Sequence, residues 1–378
     1  MRIVNLSQPD FEQWKDPKTL IVYTTQNDVH LETVKFREKF PELEIMGVSS
    51  FHGIMTPDGY KRGSFGLLME ESDKLRIRRK LLDFSETTNI KSTVCDALKD
   101  WKTDGMESNQ FFIHGTQGVE ERVIEGLNEC FGQDVQISGC TAGNDRFLDQ
   151  AYIFLNDQKI TKGVLILQVL SNRIDSLITR GGYLTTLRKG IVTQAKGRII
   201  QKIDDRPAAE VYNEWTDRRF EANILKGGDL PRSAGLYPMA HSIESEPECG
   251  YWLIHPYHVD RETKAIHMYA EIPEKTEIYL MRGTEDALVS RMETAIHEML
   301  GQVSIDSIDG AFIMYCAGCA SIISENMSAV CQKACKALNG IPFIGCLSFG
   351  EQGRLKNAHH NHHGNMMIEL VIIRRRTN

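Results

Sequence analysis

Residues 309–352, DGAFIMYCAGCASIISENMSAVCQKACKALNGIPFIGCLSFGEQ, constrain the fold more than any other stretch of the chain. Residues 311–315 are apolar without interruption, which is the pattern of a strand buried on both faces. A turn of small residues from Cys316 to Cys319 leads into a helical segment, and a second apolar run follows at 341–347. A helix that returns the chain to a second buried strand makes a parallel βαβ unit, so the sheet it enters must be covered on both sides. Both strands close on glycine and cysteine. The carboxyl ends of parallel strands are where open α/β sheets bind ligands, and a site is expected there.

The same order recurs upstream. A strand at 19–24, helical spacing over 29–40, a strand at 43–50 (LEIMGVSS) and strands at 63–69 and 75–82 read as βαβββ. Ser85 opens a predicted helix reaching Trp101, and a second βαβββ follows: 110–114, a helix over 118–130, VQISGCTAG at 135–143, then 151–156 and 163–170. Residues 181–281 read as a third, less regular copy around a helix with Pro207 in its first turn. An amphipathic helix over 284–302 stands before the 309–352 stretch as the Ser85 helix stands before Gln110. Gly139 and Gly345 are separated by nearly the same interval as Gln110 and Ala311, which argues for internal duplication. The expected architecture is mixed α/β: two duplicated domains of βαβββ units, residues 1–172 and 173–378, with mixed sheets covered by helices.

A net charge of −7 and only two short basic blocks, RIRRK at 76–80 and Arg374 to Arg376, argue against a nucleic-acid partner. The first residues have no apolar signal region, and no run reaches the ~20 apolar residues of a membrane span. A cytoplasmic protein is expected. Nine cysteines in a chain of 378 residues do not form a secreted disulfide framework, so reduced thiols are expected.

The glycine-cysteine turns at 139–144 and 345–351 carry the candidate ligand-binding residues: Gly139, Cys140, Thr141, Asn144, Gly345, Cys346, Ser348, Gly350 and Glu351, joined by Cys316 from the neighbouring strand. Glycine lets the backbone approach a bound group, and the hydroxyls and free amides can face an anion. Glu351 ends a strand with no other charge and is placed to receive an amine. Cys316 and Cys319 have the C-x-x-C spacing of zinc and redox motifs, but Cys331 and Cys335, four apart on a helix, read as packing groups rather than a second ligand pair. The tract 358–364 holds four histidines, of which His363 is the candidate ligand for haem or a metal. No Walker loop, dinucleotide fingerprint, H-E-x-x-H or G-x-S-x-G is present, and a protein that is not an enzyme is expected. A hydrolase using Cys140 or Cys346 with a histidine is the alternative.

VQISGCTAGNDRF, then GGYLTTLRKGIVTQAKGRIIQKIDDRPAAEVY, then GAFIMYCAGC and IPFIGCLSFGEQG in that order resemble the FIST (F-box and intracellular signal transduction) proteins, with their amino-terminal and carboxyl-terminal FIST domains. The resemblance covers nearly the whole chain. It implies an intracellular sensor of small ligands such as amino acids, coupled here to a separate partner such as a histidine kinase or cyclase. Some members of the family bind haem and report nitric oxide to a histidine kinase, which makes haem the implied alternative cofactor. The chain departs from the family's pattern at Val48 to Gly53, where a Cys-Ser-Thr-x-Gly type of turn is usual, and in its histidine-rich approach to the last strand.

Overall fold

The structure is a computed structural model of the chain, and it describes all residues except 13, 15, 70–74, 102–108, 146–148, 172, 180, 243–249, 357 and 376–378. Mixed sheets covered by helices are present as the sequence implies, and a βαβ unit followed by a hairpin and an antiparallel return strand, one strand more than the expected βαβββ, occurs three times. In the first unit Thr19–Thr24 and Glu44–Ser49 run parallel around the helix His30–Lys39, and Ser64–Met69 returns antiparallel. In the second, Asn109–Gly115 and Gln136–Thr141 flank the helix Glu120–Phe131, with Gly163–Leu170 antiparallel. The third joins Ile308–Cys316 to Phe343–Ser348 through the helices Ala317–Ile322 and Met327–Leu338, and Ile368–Arg374 returns antiparallel. Arg2–Asn5, Arg76–Asp83 and Ile174–Thr179 add the same outer strand to each sheet.

Each unit also gives a hairpin to a neighbour. The hairpin of Ile54–Thr56 and Gly59–Lys61 pairs onto Phe343–Ser348, that of Ile153–Leu155 and Gln158–Ile160 onto Glu44–Ser49, and that of Glu351–Gly353 and His362–Gly364 onto Gln136–Thr141. The exchange is cyclic: first to third, second to first, third to second. The loops after the second parallel strands follow the same direction, since Phe51 N–H donates to the Leu347 carbonyl, Gly143 N–H to Ser49 and Phe349 N–H to Thr141, each at 3.0 Å. The three sheets therefore surround a pseudo-threefold axis. Their inner faces make one core in which Tyr23, Phe112, Phe312, Met314, Cys140 and Cys346 meet. The Phe112 and Phe312 rings meet tilted at 45° with centroids 5.4 Å apart, and truncating either costs about 3–5 kcal/mol. The outer faces bury separate cores under the helices.

The glycines at the parallel strands serve this packing. A Cβ at Gly47 would stand 1.8 Å from the Val22 carbonyl oxygen, and one at Gly139 would stand 2.0 Å from that of Ile113. The helix expected from Ser85 begins later, at Ile90, because the Asn89 side chain caps it by accepting the Ser92 N–H at 3.2 Å. Thr284 caps Glu285–Leu300 in the same way through the Ala287 N–H.

Residues 183–283 are not a third βαβββ copy. They are inserted between the outer strand of the third unit and its helix, and their strands form a separate antiparallel sheet. The long strand Tyr183–Lys196 shows why: its side chains are mostly exposed or half-exposed, where a parallel central strand would be apolar throughout. The third copy is instead the stretch from Ile308 onward, which also donates its own hairpin.

Candidate functional site

A cleft of about 590 Å³ opens where the inserted sheet meets the carboxyl ends of the three units. Each unit contributes a residue from the end of a central strand: Phe51 from the first, Gln117 from the second, Cys316 and Phe349 from the third. The inserted sheet supplies the opposite wall with His255, Tyr257 and Tyr269. Tyr269 lies parallel to His255 at 5.8 Å and stacks on Tyr257 at 4.3 Å, forming a continuous aromatic face. Asp229 and Arg232 stand at the rim. Phe51 and Phe349 occupy equivalent places around the axis, and in the second unit that place is Gly143.

Two polar groups in this wall are left open. His255 is enclosed, burial pushes its imidazole down to about 4, and its Nδ1 has no hydrogen-bond partner. Asn365 is 2% exposed; its Oδ1 accepts the His255 N–H at 2.6 Å, while its Nδ2 has no partner. A buried polar atom without a partner costs about 1–3 kcal/mol, and a bound molecule would recover it.

Of the ten residues singled out from sequence, Cys316 lines this cleft. The other nine do not line it and make packing and hydrogen-bond contacts within the body. Thr141 Oγ donates to Glu120 Oε1 at 2.9 Å and accepts from Gln352 Nε2 at 2.8 Å, and its N–H donates to the Gly350 carbonyl at 2.8 Å. A Cβ on Gly350 would meet His363 Cε1 at 2.3 Å, so the glycine keeps that layer thin. Gly139 N–H donates to Glu369 at 2.8 Å. Gly345 packs against Ile313 and Met55, and Asn144 sits half-buried in the turn beside Asp145. Glu351 is fully buried, receives Ser348 Oγ and the Met367 N–H, and is pushed well above the usual carboxyl range by burial and by Cys316. It stands behind the cleft wall, not on it.

Cys140 and Cys346 occupy equivalent positions and face each other in the central core, with their sulfurs 3.7 Å apart. Burial pushes the Cys140 thiol well up. The hydrolase alternative therefore places both its nucleophiles in the interior, away from the cleft. His363 is equally enclosed: Nδ1 accepts from Gln352 Nε2 at 2.9 Å and Nε2 reaches the Tyr269 carbonyl at 3.3 Å. Neither nitrogen is left for iron, so His363 does not fit haem. The imidazole that would fit is His255, with its open nitrogen and aromatic surroundings. Among the described residues no cluster of three or more His, Cys, Asp or Glu could hold a metal ion.

Sequence reasoning missed the aromatic wall, because PYHV at 256–259 and the short strand Ile266–Met268 look like ordinary half-exposed strands. The available signal was the density of Tyr and His in two neighbouring strands of an insertion. A larger cleft of about 650 Å³, lined by Arg188, Trp215, Arg219, Tyr237 and Arg282, lies on the inserted sheet alone and touches none of the expected site residues.

A threefold α/β body with a cleft walled by an inserted sheet defines the class of fold. The FIST N domain matches residues 18–206 and the FIST C domain matches 208–354, so the chain belongs to the FIST family. A comparison with curated proteins returns no match. The boundary between the two matched domains falls inside the inserted sheet, where Arg206–Pro207 pairs with Ile199–Ile203, and strands on either side of it are hydrogen-bonded to each other. Among the described residues no helix is long and apolar enough to cross a membrane.

Proposed function

We propose that this protein is a small-ligand sensor whose ligand, an amino acid or a molecule of similar size and charge pattern, binds in the cleft between the inserted sheet and the three-unit body. The observation that carries the reading is the pair of enclosed polar atoms without partners, His255 Nδ1 and Asn365 Nδ2, in an aromatic-walled cleft of about 590 Å³. That volume is in the usual range for small-molecule sites. Arg232 at the rim suits a carboxylate, and the Tyr257 and Tyr269 rings suit an ammonium. A ligand touching both walls favours the closed arrangement only by its unequal affinity for the two states. A separate signalling protein, such as a histidine kinase or cyclase, would read that difference. Glu351 keeps a role as support: it fixes Ser348 and the Met367 backbone behind Cys316.

The test is a thermal-shift and calorimetric screen of the amino acids against wild type and Tyr269→Ala. At least one amino acid is expected to stabilise the wild type, with affinity falling roughly ten- to a hundredfold in the variant. Equal binding to both proteins would reject the cleft. Haem is the second reading, favoured by the open nitrogen of His255. If it binds, an intense visible band appears on reconstitution and is lost in His255→Ala but kept in His363→Ala.

A further inference from the structure

Cys316 occupies a position where the other two units use threonine. Thr25 Oγ and Thr116 Oγ accept the N–H groups of Gly63 and Gly163, each at 2.9 Å, and tie the end of the central strand to its antiparallel neighbour. In the third unit the Cys316 sulfur accepts the Met366 N–H at 3.1 Å instead. A hydroxyl makes that bond better than sulfur, so the thiol is not explained by the structural task.

The surroundings differ in the same place. Cys316 precedes the helix Ala317–Ile322 and Cys319 lies in its first turn, a spacing that puts both on one side. Met366, held at φ 64°, brings its sulfur to 3.7 Å from Cys316 and 3.9 Å from Cys319. Gly318 places no side chain over the sulfur of Cys316, a residue 3% exposed at the cleft wall, since a Cβ there would stand 3.5 Å from that sulfur.

Arg291 adds the second observation. It is 1% exposed, donates to the Met366 and Met367 carbonyls, lies over the Tyr315 ring at 4.3 Å and leaves its Nε without a partner. Among the described residues no carboxylate forms an ion pair with it. A buried guanidinium without a counter-charge is costly. The groups around it are Cys319, Tyr315, Tyr183 and Cys316, with Glu351 beyond. Burial pushes Tyr183, Tyr315, Cys316 and Glu351 up, whereas at Cys319 burial is outweighed by the neighbouring Cys316 thiol, Arg291 and the Tyr183 hydroxyl at 3.3 Å. Cys319 is thus the thiol beside Arg291 that is lowered from its usual value.

We propose that Cys316 and Cys319 form a redox-active dithiol that exchanges with low-molecular-weight disulfides of the glutathione type entering the cleft. The Cys316 thiol gives its proton to solvent. The Cys316 sulfur attacks one sulfur of RS–SR, forming a mixed disulfide and releasing RS⁻, which takes the proton of the Cys319 thiol. Cys319 then attacks the Cys316 sulfur, closing the protein disulfide and releasing the second RS⁻, which is protonated by solvent. The balance is protein dithiol plus RSSR giving protein disulfide plus two RSH. This chemistry is independent of which small ligand the cleft senses.

The test equilibrates the full chain with glutathione and glutathione disulfide at a series of ratios, followed by alkylation and peptide mapping. Expected is a joint, dithiothreitol-reversible loss of Cys316 and Cys319 alkylation, roughly tenfold at the oxidised end, while Cys140 and Cys346 still alkylate after denaturation. Cys319→Ser should accumulate a glutathione adduct on Cys316. Cys316→Thr, which restores the residue of the other two units, should fold and show no adduct on Cys319. Full alkylation of both thiols at every ratio, or a disulfide mapped to another pair, overturns the proposal, as does adduct formation on Cys319 in Cys316→Thr.

Discussion

The three-unit body and the inserted sheet solve different problems. In the body each unit lends a hairpin to the next, and the loops are joined by the cyclic hydrogen bonds at Phe51, Gly143 and Phe349. No unit can open without breaking two others. The inserted sheet is antiparallel, half-exposed along Tyr183–Lys196, and interrupts only the third unit. Its place breaks the symmetry, so the equivalent strand ends carry Thr25 and Thr116 in two units but a cleft with Cys316 in the third. The repeated body is tied together by its cyclic exchange, and the insertion supplies one wall of the cleft.

The largest expected effect is on the body. Gly139→Val should abolish cooperative folding or cost upwards of ~3 kcal/mol in urea denaturation, because its side chain enters the Ile113 carbonyl. Gly197→Ala in the insertion, at φ 56° with only Glu271 nearby at 3.9 Å, should cost about 1–2 kcal/mol. Equal costs would erase the distinction between the regions.

Next is the seam. Arg198 on the insertion donates to Glu120 at 2.7 Å and to Glu121, and Glu120 also holds Thr141. Arg198→Ala leaves Glu120 buried and unpaired and should cost about 3–5 kcal/mol, whereas Arg122→Ala, which removes the exposed pair with Glu271, should cost under ~1 kcal/mol. Both are read by thermal denaturation, and a larger effect at Arg122 would contradict the assignment of the seam.

The central core gives a smaller, pH-dependent effect. His114 is fully buried, neither ring nitrogen has a hydrogen-bond partner, and burial lowers it from 6.5 to about 3. Below pH 6.5 the unfolded chain takes up a proton that the native imidazole refuses, so stability falls with pH down to about 3. Between pH 7 and 5 the wild type should lose roughly 2 kcal/mol more than His114→Phe. Buried Glu351 and Glu369 have the opposite pH dependence, which cancels in the comparison because both proteins keep them. Identical slopes would show that His114 is protonated in the fold.

The parallel pairs were legible because buried strands such as AFIMY have no alternative reading, and the matching Gly-Cys turns identified two equivalent units. The threefold exchange was not, since strands of three residues such as Ile54–Thr56 have no periodicity of their own and pair with partners hundreds of residues away. The same limit explains Glu351. An acidic residue after Gly350 suggested an open site, but the hairpin that folds it under Met367 is fixed by pairing with Gln136–Thr141. The cleft itself depends on where an insertion lands, which only the tertiary fold decides.

Hydrogen exchange tests the central claim most directly, comparing free protein with protein saturated by the amino acid that gives the largest thermal shift. The account predicts protection on both walls of the cleft, at 229–232, 255–257, 316–318 and 365–366, with little change at 186–189 and 215–219 around the arginine-lined cleft. Protection confined to the latter segments, or to one wall alone, would contradict it.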